Sequence, residues 1–168
     1  MRRDRVLVAL AGGYFAVAAV GVVAPATAEA VAHGRVWLLL TSALAAQPPL
    51  PLAQVGLTAA VAALAIRRVG AGAWWRAALV GHVGSALVAY ALMLLAGAEA
   101  ATREPDYGVS CVLGATLGAL MTTHDRLGRA VGVVGAVALL PVSLSWLGIE
   151  HPLAVVLGAL SARAAATR

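Results

Sequence analysis

Residues 104–120 read EPDYGVSCVLGATLGAL. An acidic, turn-prone run gives way at Gly108 to an apolar segment, and Ser110 stands one step inside it. Gly114 and Gly118 follow at four-residue spacing, so all three share one face of a helix. The solvent around that helix decides the fold. The chain is 62% hydrophobic and 11% charged, with a mean hydropathy of +0.92. A soluble domain of 168 residues needs a polar surface that this composition does not supply. In hydrocarbon only helices or closed barrels satisfy the backbone. The apolar runs are long, rich in Ala, Leu and Val, and without strict alternation. The expected fold is therefore an all-α membrane protein.

Apolar stretches fall at roughly 6–24, 49–66, 76–97, 107–121, 128–147 and 151–166, which predicts a bundle of six transmembrane helices in one domain, 1–168. The fourth and sixth are short, as suits helices crowded inside a bundle. Pro141 is expected to kink the fifth, because it removes a backbone donor. In this arrangement Arg2, Arg3, Arg5, Arg67, Arg68, Arg76, Arg126, Arg129, Arg163 and Arg168 fall on one side, and only Arg35 and Arg103 on the other. Most acids (Glu29, Glu99, Glu104, Asp106, Glu150) take the arginine-poor side. Both termini are then cytoplasmic, and the chain is expected to be a multi-pass protein of the plasma membrane with lipid as its first partner. The first thirty residues also read as a signal peptide with an ATA site. Their apolar part, Val6 to Ala24, is longer than the usual h-region of about 7–15 residues, so retention is expected.

The same patterns exclude other classes. The sequence pI of about 10.7 comes from arginines clustered between hydrophobic runs, a topology signal and not a nucleic-acid face. Cys111 is the only cysteine, so no internal disulfide and no cysteine-built metal centre is expected. No glycine-rich phosphate loop is present, and neither cofactor nor metal is expected.

Two distant residues share a depth in this topology. Ser110 follows Asp106 into the fourth span from outside, about one helical turn down. His151 opens the sixth span from the same side, just ahead of Pro152, which suits a first turn. Ser110, Gly114 and Gly118 form one stripe of small residues, and Ala154, Gly158 and Ala162 form another beyond His151. Small-xxx-small stripes let membrane helices approach closely. Packing them together brings a hydroxyl beside an imidazole, as a nucleophilic serine requires. The blander alternative stands beside this: a serine bonded back to its own helix, stripes that only pack, and an interfacial histidine.

With these residues in view, the chain resembles the rhomboid superfamily, whose minimal members are six-span intramembrane serine proteases. RVWLLLTSAL at 35–44 resembles the W-R-x-L-T-S-x-F stretch before the second span, and RAALVGHVGSAL resembles the start of the third. GVS at 108–110 matches the opening of G-x-S-G, and His151 with Ala154 and Gly158 resembles the histidine of the sixth span. DYGVS and GHVGS together look like a divergent rhomboid-like set from high-GC bacteria, which implies an inner-membrane location. The resemblance implies Ser110 as nucleophile, His151 as general base, and single-span membrane proteins as substrates. Cys111 stands in place of the second glycine, and Gly114 in place of an aromatic residue. The H-x-x-x-N pattern of the second span would fall near Pro51 and Val55. Gln54 and Cys111 are then the remaining candidates on the oxyanion and substrate side. Either an active protease or a pseudoprotease that binds transmembrane segments fits this pattern; a small transporter would need paired intramembrane charges.

Other residues carry blander expectations. His82 is expected in the inner half of the third span, ~15 Å or more from Ser110, with a structural hydrogen bond. Trp74, Trp75 and Trp146 read as interface residues, His33, Arg35 and Trp37 as loop anchors, and His124 as solvated. Cys111 is expected to point about 100° away from the seam.

Overall fold

The structure, a computed structural model, describes residues 2–166. Arg168 lies outside the described residues, as do the side chains of Arg2 and Arg3. Among the described residues there is no strand. Nine α-helices run in order: α1 (Arg2–Val20), α2 (Ala28–Ala32), α3 (Leu38–Thr41), α4 (Pro51–Val69), α5 (Ala71–Leu95), α6 (Glu99–Thr102), α7 (Val109–Met121), α8 (Arg126–Ala138) and α9 (Glu150–Ala166). Two of them, α4 and α5, are long and apolar enough to cross a membrane.

Local chemistry explains the helix ends. Pro51 opens α4, where a missing N–H costs nothing. Gly70 alone joins α4 to α5, and its φ of 85° lies where a side chain is strained. Asp125 caps α8 by accepting from the Gly128 amide at 2.7 Å. The fifth apolar stretch departs from expectation. It is not one kinked helix: α8 stops at Ala138, and two 3-10 turns follow, Leu140–Leu144 and Leu147–Ile149. Pro141 cannot donate to the carbonyl one turn back and crowds it, so the helix ends rather than bends.

α7 is the central rod. From Val109 to Leu120 every residue except Ser110 is buried, between α4, α5, α8 and α9. The outer layer is apolar: Leu57, Leu79, Leu87, Leu94, Val134 and Leu160 are all exposed. Trp74 is not an interface residue, because it is fully buried and its indole donates to Thr116 Oγ1 at 3.0 Å. Trp75 reaches across to the Leu7 carbonyl at 3.0 Å. A buried indole finds a hydrogen-bond partner, and α7 and α1 supply them.

Charged groups separate by end. Asp4, Arg67, Arg68, Arg76, His124 and Asp125 line one cavity. At the other end Arg103 pairs with Glu29 at 3.4 Å, and Ala26 and Asp106 exchange backbone hydrogen bonds of 3.1 and 2.8 Å. Arg68 Nε also approaches Asp125 at 3.3 Å. Because that pair is partly exposed, the cap outweighs it. Asp125→Ala is expected to lower unfolding stability by about 1–2 kcal/mol, and Asp125→Asn, which keeps a capping oxygen, by less. Thermal unfolding of the detergent-solubilised protein measures both.

Candidate functional site

The start of α7 is held by backbone from the loop between α3 and α4. The Gly108 amide donates to the Ser42 carbonyl at 3.0 Å, and the Val109 amide to Ala45 at 3.2 Å. Gly108 is obligatory, because a Cβ there would run into the His82 ring and lie 2.8 Å from the Ser42 carbonyl. His82 thus packs against Gly108, two residues before Ser110 in the chain, and not at a level ~15 Å away. Its Nε2 donates to the Leu39 carbonyl at 2.8 Å and lies 3.3 Å from Ser42 Oγ. The interhelical structural bond expected of it exists, but at the level of the site.

The same contact places Ser110 along the bundle. Gly108 is level with His82, thirteen residues before the end of α5 at Leu95, which is ~20 Å along the helix. Ser110 is recessed well beyond one turn from that end. Asp106, expected among the acids of the outer face, is not a solvated residue. Asp106 is 5% exposed and accepts from the Tyr90 hydroxyl at 2.5 Å. Burial pushes its carboxyl above the usual range, while the Tyr90 hydroxyl holds it down.

α7 meets α9 along the small residues. A Cβ on Gly114 would lie 3.2 Å from the His151 carbonyl and 3.4 Å from Ala154 Cβ. One on Gly118 would strike the Val155 carbonyl, and one on Gly158 the Ala115 backbone. The rows interlock and do not face head-on: Gly114 and Gly118 fit between His151 and Ala159, while Ala154 and Gly158 fit along Cys111 and Ala115. Cys111 therefore faces the seam and is not turned away from it. It is 1% exposed, and its thiol donates to Glu150 Oε2 at 3.3 Å.

At the head of this seam lies a cavity of about 530 Å³, whose lining includes Tyr107, Ser110, Cys111, Glu150 and His151. The Ser110 hydroxyl donates to the Tyr107 carbonyl at 3.0 Å. His151 Nδ1 lies 3.1 Å from the Gly148 carbonyl. A carbonyl only accepts, so Nδ1 carries the proton and Nε2 keeps a free lone pair. Ser110 and His151 share the cavity, and among the described residues no hydrogen bond joins them. The amides of Ser110 and Cys111 have no backbone acceptor among the described residues, as expected for a helix N-terminus. Gln54 is not in the lining itself: its Oε1 accepts at 2.8 Å from the amide of Gln47, and Gln47 lines the cavity.

Glu150, Asp106 and Tyr90 escape the sequence reading. Acids flanking apolar spans look like outer-surface residues, and only their adjacency to GVS and His151 hints otherwise. No family model, curated protein or solved structure matches this chain.

Proposed function

We propose that the chain is a multi-pass membrane protein of rhomboid-like, six-span architecture with both termini cytoplasmic, and that it works as an intramembrane serine protease. One observation carries the reading: Ser110 and His151, distant in sequence, line one recessed cavity, with the imidazole in the tautomer a general base needs. The reading requires the Ser110 hydroxyl to leave its Tyr107 acceptor and turn to His151 Nε2. Attack on a peptide carbonyl then passes the serine proton to His151, which delivers it to the leaving amine. The unpaired amides of Ser110 and Cys111 are the donors available to an oxyanion, at the positive end of the α7 dipole. Single-span membrane proteins are the substrates this reading requires, unwinding locally to reach a serine below the rim of the cavity.

The second reading is a pseudoprotease that binds transmembrane segments without cutting them. The Ser110 hydroxyl committed to Tyr107 favours it, as does a thiol where the resemblance has glycine. A fluorophosphonate probe on purified protein separates the two. The protease reading expects labelling of the wild type, none in Ser110→Ala, and labelling slowed about 10²–10⁴-fold in His151→Ala. A folded wild type that stays unlabelled assigns the chain to the binding class.

A further inference from the structure

We propose that Asp106, Cys111 and Glu150 form a divalent-cation site of the zinc class in the wall of the cavity. Their ligand atoms all lie within 4.8 Å of one another. The side chains are 5%, 1% and 1% exposed. Glu150 Oε1 is buried with no donor on it among the described residues, the Asp106 carboxyl lies within hydrogen-bond reach of the Glu150 carboxyl, and Oε2 takes the Cys111 thiol at 3.3 Å. Two buried carboxyls in contact must share a proton or a cation, and with a thiol completing the cluster a cation is the partner this arrangement fits.

Donor chemistry narrows the ion. Magnesium and calcium take oxygen ligands, whereas a thiolate with two carboxylates suits a borderline ion such as zinc. Two ligands at ordinary zinc–sulfur and zinc–oxygen lengths around a tetrahedral centre lie ~3.5 Å apart. The Cys111–Glu150 separation of 3.3 Å is close to that. Binding displaces the thiol proton and any carboxyl proton. The ion offsets two of the resulting negative charges, and the Tyr90 hydroxyl on Asp106 Oδ2 steadies the remaining one. Three protein ligands leave a fourth position, and all three residues line the cavity, so that position faces its contents. Counting cysteines missed this set because two of its members are carboxylates from separate segments.

The site does not depend on the serine–histidine reading, and its test is independent of activity. Purified protein is stripped with a chelator and titrated with Co²⁺ as a spectroscopic substitute for zinc. One ion per chain with a thiolate-to-cobalt charge-transfer band is expected. Cys111→Ser abolishes that band and Glu150→Gln abolishes binding; Tyr90→Phe weakens binding about 10–100-fold, and Ser110→Ala leaves it unchanged. A folded protein that shows no thiolate band overturns the proposal and leaves a carboxyl pair sharing a proton. Binding that survives both ligand variants assigns the ion elsewhere and overturns it equally. Should the variants fail to fold, the wild type still decides. Cys111 is the sole thiol, so zinc at a concentration where magnesium has no effect should slow its alkylation, and equal rates with and without zinc count against the site.

Discussion

Gly158→Ala and Gly118→Ala are expected to be among the most destabilising single-methyl additions along the helices. A Cβ on Gly158 would sit 2.7 Å from Ala115 Cα and 2.8 Å from its carbonyl carbon. One on Gly118 would sit 2.9 Å from the Ala159 amide nitrogen, besides striking the Val155 carbonyl. Both obstacles are helical backbone, which cannot rotate aside as a side chain does. The two helices must separate, and α7 loses its packing against α9 along the seam. Overpacking costs about 1–3 kcal/mol when side chains can adjust, and these sites belong at or above the top of that range. Gly56 on α4 is the control, since nothing lies within 4 Å of its added Cβ. Gly56→Ala should stabilise by up to about 1 kcal/mol through helix propensity. Chemical unfolding followed by circular dichroism compares the three. If Gly158→Ala unfolds with Gly56→Ala, α7 and α9 do not touch as described.

The longer helices were legible because hydropathy and breakers act locally. Runs of Ala, Leu and Val are read without knowing any partner. The four-residue spacing of Gly114 and Gly118 is local too, and it marks a face of α7 that α9 approaches. The surroundings of Asp106 were not legible. An acid beside an apolar span is expected to be solvated, and a carboxylate is a surface marker only when water is its partner. Here Tyr90 donates to it from α5, sixteen residues away, and no pattern near Asp106 announces that. Cys111 was misjudged for a related reason. Rotation by 100° leaves the Gly114 stripe but arrives at a second row facing α9, because interlocked ridges use two rows of each helix. The end of α8 at Ala138 was half visible: Pro141 was noticed, but a proline within an apolar run reads as a kink or a stop with equal ease until the packing beyond it is known.

His82→Ala is the second large effect. The ring is 1% exposed and fills space between α5, the α3 segment and the head of α7. Its removal leaves the Leu39 carbonyl without its donor, at about 1–3 kcal/mol, and opens a cavity that adds about 2–5 kcal/mol where neighbours cannot collapse. Against a typical total of about 5–15 kcal/mol, the sum is a large share of the fold's stability. His82→Gln keeps an amide donor and part of the volume, so it should recover some of the loss; a leucine of similar bulk without a donor should recover less. The ring also ties down the loop between α2 and α4, because Leu39 and Ser42 both bond to it. His82→Ala should therefore expose the loop to trypsin at Arg35 well below the global unfolding temperature. Ser42 accepts the Gly108 amide, so the same variant should loosen the start of α7 and with it the placement of Ser110. An alanine variant that melts with the wild type and shows unchanged cleavage at Arg35 would mean that the imidazole holds nothing in place.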